Sequence, residues 1–189
     1  MKNRCLICNN KVSGITKQQI GDGIICPICG RICNHSTLVD SATVKILWET
    51  NHQRFKNFQE SSLLTSFGSG FIHLDLNHQW CYIVSQKKPK LEPVVFAFNE
   101  IEGYTLEVVG QKTITKTKGG IGRAIVGGAL FGSIGAVVGA STAKQETKTT
   151  GGINILKIDL VLNGVKTTVS ISNPPLKAQE TIDSMMNYS

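Results

Sequence analysis

The chain has 189 residues, 41% hydrophobic and 17% charged, and its 20 Lys and Arg against 13 Asp and Glu give a formal charge of +7. That apolar content excludes intrinsic disorder, the 19 glycines follow no collagen period, and the length fits one domain or one domain with a small appendage. Aromatic residues make up only 6%, which counts against a wide base-stacking surface.

Charge and cysteine are both concentrated at the start. Residues 1–35 hold five basic residues against the single acid Asp22, so +4 of the +7 lies there. Five of the six cysteines lie there too: Cys5, Cys8, Cys26, Cys29 and Cys33, with only Cys81 outside. The chain opens Met-Lys-Asn-Arg-Cys without an apolar stretch, which makes a reducing cytosol the expected compartment. In that setting closely paired cysteines read as metal ligands before disulfides.

Cys5-Leu-Ile-Cys8, seventeen residues, then Cys26-Pro-Ile-Cys29 has the spacing of a four-thiolate zinc ribbon. Two residues between thiolates let a tight turn aim both sulfurs at one tetrahedral ion, and the same turn points backbone N–H groups at the sulfurs. Gly30 suits the second knuckle because glycine takes positive φ without strain, and Asn9 and Asn10 can serve the first. Gly21-Asp22-Gly23 reads as a hairpin turn between, with Val12, Ile15 and Ile20 as a small apolar lining. So few residues bury too little to fold alone, and a structural zinc ion would contribute roughly 10 kcal/mol or more. Four thiolates close the coordination shell, so one structural Zn2+ on Cys5, Cys8, Cys26 and Cys29 is expected, with no catalytic position. Cys33, with His35 beyond it, reads as a bystander in preference to a substitute ligand.

Cys-Leu-Ile-Cys-Asn at 5–9 and Ile-Gly-Asp-Gly-Ile-Ile-Cys-Pro-Ile-Cys at 20–29 resemble a family of short zinc-binding domains of bacterial and phage proteins. The resemblance covers about the first quarter of the chain. It implies zinc, and it implies a bacterial pleckstrin-homology (PH)-like domain to follow, with no catalytic role attached.

From Asp40 to about Ser61 the period is helical. Val44, Leu47, Trp48, Phe55 and Phe58 share a face as packing residues, and Asp40 or Ser41 is the N-cap. After Gly70 the period becomes two. Strands are expected at 71–76 and 80–84 around Asn77-His-Gln79, then at 94–98, 104–109 and 112–118. Residues 153–162 and 165–171 flank Asn163-Gly164, the clearest hairpin in the chain. Pro174-Pro175 opens a final helix carrying Leu176, Ile182, Met185 and Met186. His73 and His78 read as face or turn residues, and Cys81 as strand packing.

About seven strands closed by an amphipathic helix resemble a PH-like barrel, and Val-Phe-Ala-Phe-Asn-Glu-Ile-Glu-Gly-Tyr at 95–104 is similar to a strand-turn-strand of bacterial members. A lipocalin-like barrel is the competing fold. The expected class is α+β, mainly β: a ribbon at 1–36, a linking helix at 37–66, and a PH-like domain at 67–189 with a glycine-rich insertion at 119–143.

That insertion carries eight of the glycines between 119 and 139, and Ala124 to Ala143 are twenty consecutive uncharged residues. Ala124, Gly128, Gly132, Ala136 and Ala140 make a small-residue stripe on a helix, which permits close helix approach. Twenty residues at about 1.5 Å each would span a bilayer core, with Arg123 and Lys144 at its edges. Eight of the twenty are Gly, Ser or Thr, and the segment leaves and rejoins one β domain, which favours packing in solution or on a second copy over membrane contact. It has no phosphate-cradle motif.

No nucleophile–base pair or acidic dyad stands at a suggestive spacing. The expected function is a non-catalytic zinc-binding interaction or adaptor protein, engaging a protein partner, a second copy or the inner face of the cytoplasmic membrane. A nucleic-acid-binding ribbon, supported by its positive charge, is the alternative.

Overall fold

The computed structural model describes residues 4–15, 17–34, 38–66, 70–108, 112–117, 124–126 and 154–188. The ribbon comprises β1 (Gln18–Ile20) and β2 (Gly23–Ile25), an antiparallel pair turning at Gly21-Asp22. A single helical turn, α1 (Pro27–Gly30), and a 3-10 turn (Arg31–Cys33) follow. Leu6 N–H donates to the Ile24 carbonyl at 3.0 Å, tying the first knuckle to β2.

The next helix, α2 (Ser41–Asn57), is capped twice. Asp40 accepts from Thr43 N–H at 2.8 Å, the cap its side chain promises. Asp22, in the ribbon's hairpin turn, accepts from Ser41 N–H at 2.8 Å and from the Ser41 hydroxyl. Gly21 N–H also donates to the Val39 carbonyl at 2.8 Å, so ribbon and helix meet through directed bonds.

The buried face of α2 is Val44, Leu47 and Asn51, with Trp48, Phe55 and Phe58 only partly buried. Asn51 is the unexpected member. Its Nδ2 donates to the Pro93 carbonyl at 3.0 Å and its Oδ1 accepts from Val95 N–H at 2.7 Å. One turn on, Arg54 grips the Glu100 carboxylate with two nitrogens at 2.6 and 2.9 Å. The helix is thus fastened to residues 93–100. It ends at Asn57, and part of the stretch expected to link the domains is instead a strand, β3 (Ser62–Ser66).

β3 opens a four-stranded antiparallel sheet with β4 (Gly70–Asp75), β5 (Trp80–Val84) and β6 (Phe96–Ala97), in that order. β6 is shorter than the alternation at 94–98 implies. Pro93 and Val95 give backbone groups to Asn51, and Phe98–Glu100 turns as a 3-10 helix. The second sheet holds β7 (Ile101–Val108), β8 (Lys112–Thr117), β9 (Ala124–Val126), β10 (Asn154–Leu162) and β11 (Val165–Ser172), in the order β11-β10-β7-β8-β9. β10 and β11 pair from Ile155↔Ser172 to Leu162↔Val165 around Asn163 and Gly164, both at positive φ, as the Asn-Gly pair predicts.

Among the described residues no ladder joins the two sheets into a closed barrel. They are held by side chains: Leu156, Ile158, Leu160 and Leu162, spaced by two, face one core with Ile72, Phe96 and Ile101. The C-terminal helix, α3 (Ala178–Asn187), adds Ile182, Met185 and Met186 to that core. It starts later than expected: the prolines precede it, and Leu176 lies outside the helix and exposed. The same buried cluster continues through Val44 and Leu47 to Ile25, Cys29 and Cys5, so ribbon, helix and sheets share one interior.

Ala124–Val126, expected at the start of a helical stripe, pairs as β9 with β8. The rest of that stripe, 127–143, lies outside the described residues. No described helix is long and apolar enough to cross a membrane.

Candidate metal centre

The first knuckle is a chain reversal held by Cys5 N–H to the Asn10 carbonyl and Asn9 N–H to the Cys5 carbonyl, both 2.9 Å. Asn9 takes φ 58, a conformation asparagine tolerates better than most residues. The second knuckle reaches the same end differently. Cys26 caps α1, its Sγ accepting from Cys29 N–H at 3.5 Å, with Pro27 in the first turn where its missing N–H costs nothing. Gly30 keeps an ordinary helical φ of −73, so positive φ is not its purpose. A Cβ there would sit 1.5 Å from Gln18 Oε1, so glycine provides room for β1.

These turns bring Cys5, Cys8, Cys26 and Cys29 together, with all four sulfurs within 4.8 Å of one another. Thiolates about 2.3 Å from a tetrahedral ion stand about 3.8 Å apart; Cys8 and Cys26 are 3.7 Å apart. None of the cysteines is in a disulfide. Cys5, Cys26 and Cys29 are buried and Cys8 is partly exposed. The cluster can hold one metal ion.

Electrostatics divide the four. Burial pushes the Cys5 thiol up, but the N–H groups of Cys8, Cys26 and Ile7 outweigh it and bring its pKa down to about 7. Burial raises Cys8, despite the Asn10 N–H. Burial and the neighbouring Cys26 sulfur push Cys29 upward. Several buried negative sulfurs cannot stand together without a cation, and a divalent ion would supply that charge. Soft thiolates suit zinc over magnesium or calcium.

Cys33 stays outside the cluster. It is fully buried, and its thiol donates to the Gly30 carbonyl at 3.4 Å. Cys81 is buried in β5, as its place in an alternating strand predicts. His73 is a buried face residue of β4, stacked on Tyr82 at 4.2 Å, with Nδ1 on Glu60. His78 sits in the β4–β5 turn with Nδ1 2.7 Å from Asp75. The Glu60–His73 pairing joins the segment after α2 to a later hairpin, and no spacing in the sequence signals it.

A family model described as a glycine zipper containing PH domain matches residues 53–172. Comparisons with curated proteins and with solved structures give no match. The matched span starts inside α2, runs to the end of β11 and includes residues 119–143, leaving the cysteine ribbon outside. Covering more than half of the chain and all strands of the two larger sheets, the match places this protein in the family of PH domains that contain a glycine zipper.

Proposed function

We propose that the chain is a non-catalytic interaction protein in which one zinc ion on Cys5, Cys8, Cys26 and Cys29 holds a ribbon against a PH-like platform. The glycine-rich segment at 119–143 is its contact element. The observation that carries this reading is the continuous core from the four-cysteine cluster to α3. Such a metal site has no open coordination position, and its role is to stiffen one end of a docking surface. PH-like domains are interaction modules, and small residues at four-residue spacing let two backbones approach closely. A second copy of the chain is the favoured contact, ahead of the inner surface of the cytoplasmic membrane.

Sedimentation and liposome flotation of the zinc-loaded chain, intact and with residues 127–143 replaced by a short polar linker, test this. The intact chain should self-associate or float, and the replacement should abolish that behaviour. Equal behaviour of the two would refute the role of the segment.

The alternative is a nucleic-acid-binding ribbon. Arg4, Lys11, Lys17 and Arg31 are all exposed, which supports it. The absence of any Phe, Tyr or Trp before Trp48 weakens it, because the ribbon lacks the large rings on which successive bases stack. Binding that falls steeply with salt would support it, and no binding at low salt would remove it.

A further inference from the structure

β3 is the outermost strand of its sheet: one side pairs with β4, and among the described residues nothing pairs with the other. Its five residues keep one register from Ser62↔Leu74 to Ser66↔Gly70, without a bulge to twist the edge away. Neither proline nor charge guards it. Residues 61–86 contain no proline and a single Asp, Glu, Lys or Arg, the fully buried Asp75. Open edges normally carry such guards, because their free N–H and C=O groups recruit another strand. Rows of side chains also run out at this edge. On the core face Ile83, Ile72 and Leu64 line up across the strands, buried at the first two and partly exposed at Leu64. On the other face Val84, Phe71 and Thr65 form one row, and Tyr82, His73 and Leu63 the next. Thr65 is exposed, and Leu63 and Phe71 are partly so.

We propose that two copies of the chain meet at β3, in antiparallel pairing about a two-fold axis at Leu64. Ser62-Leu63-Leu64-Thr65-Ser66 reads almost alike in both directions, as a self-complementary interface requires. In that register Leu64 meets Leu64 of the second copy, Leu63 meets Thr65, and Ser62 meets Ser66. The core row then continues through Leu64 into the second copy. The row that ends at Thr65 continues into the row that begins at Leu63. Glu60, the nearest charge along the chain, falls at opposite ends of the joined strands, so like charges do not oppose each other. Five residue pairs span about 17 Å and bury less than the roughly 1,200 Å2 of a stable interface. The pairing therefore fixes how the copies face each other, and it rests on the second-copy reading above for the remaining contact.

Sedimentation equilibrium of the zinc-loaded full chain measures the dimer constant, and hydrogen exchange shows where the copies meet. Amides in 62–66 should gain protection as protein concentration rises. Thr65→Lys should weaken the dimer about tenfold, because symmetry places the lysine at two points of one interface. Thr50→Lys, which adds the same charge on the exposed side of α2, should leave it unchanged. Ser62→Lys repeats the test from the other end of the strand if Thr65→Lys fails to fold. Association that survives Thr65→Lys but not replacement of residues 127–143 overturns the β3 pairing and keeps the glycine-rich contact. Association that survives the replacement but not Thr65→Lys keeps β3 and removes that segment. A monomer at every concentration, protection of 62–66 that does not change with concentration, or equal loss in Thr50→Lys and Thr65→Lys overturns the proposal.

Discussion

Replacing Asn51 by alanine should destabilise the chain more than any other single polar truncation on α2. Asn51 is 7% exposed and its amide satisfies two backbone groups across the fold, the Pro93 carbonyl at 3.0 Å and the Val95 N–H at 2.7 Å. Pro93 is buried and Val95 is 1% exposed, so water does not readily replace the lost partner. Each orphaned buried group costs about 1–3 kcal/mol, and the pair together about 3 kcal/mol. Against a total of about 5–15 kcal/mol that is a large loss, worth roughly 6–12 °C in Tm for a chain this size. Urea unfolding of the zinc-saturated protein, followed by Trp48 and Trp80 fluorescence, measures it. Asn51→Asp adds an internal check. The carboxylate still accepts from Val95 but cannot donate to Pro93, and burial favours its protonated form, raising its folded pKa. The variant should therefore lose stability as pH rises through that value and recover below the unfolded one, where a protonated oxygen can donate. A loss below about 1 kcal/mol in Asn51→Ala, with an unchanged urea slope, would refute the reasoning.

Three further predictions concern the ribbon, the acid limb and the sheet seam. Purified protein should carry about one zinc per chain, lost in Cys5→Ser or Cys29→Ser and kept in Cys33→Ser; metal analysis showing zinc loss in Cys33→Ser would make that residue a ligand. The buried Asp75 carboxyl is desolvated, which raises its pKa, but Gln59 N–H and His78 outweigh this and hold it below the ordinary 3.8. Its contribution is therefore complete above the unfolded value and is lost as pH falls through the folded one. Urea midpoints measured from neutral pH to about pH 3 should fall less steeply in Asp75→Asn, and parallel curves would exclude the carboxyl as a source of acid sensitivity. A Cβ on Gly70 would meet the Asn173 backbone carbonyl at 2.4 Å, a contact that cannot rotate away. Gly70→Ala should cost about 1–3 kcal/mol, whereas Gly30→Ala meets only the movable end of Gln18 and should cost less; equal unfolding midpoints would contradict this.

Legibility follows distance along the chain. The cysteine pairs, the Gly21-Asp22 turn, the Asp40 cap and the Asn163-Gly164 hairpin are local devices, and each forms where its residues stand. The core alternation from Leu156 to Leu162 is equally local. β3 was hidden because Ser-Leu-Leu-Thr-Ser is short and becomes a strand only by pairing with β4. β6 shrank because a helix side chain bonds the neighbouring backbone groups, and the last helix began late because Pro174 and Pro175 precede it in an extended and turning stretch. At the candidate metal centre the four cysteines were readable, while the purpose of Gly30 was not, since its neighbour Gln18 lies on another element.

The sequence by itself determined a four-cysteine cluster, a mainly β PH-like domain and the concentration of charge near the cysteines, because spacing, alternation and turn chemistry act within a few residues. Tertiary structure decided that Asp22 would cap α2, that Asn51 would complete residues 93–95, and that Arg31 would reach the Glu92 carbonyl. Those partners lie 19, 42 and 61 residues apart, and only the packing of one continuous core brings such distant groups within reach.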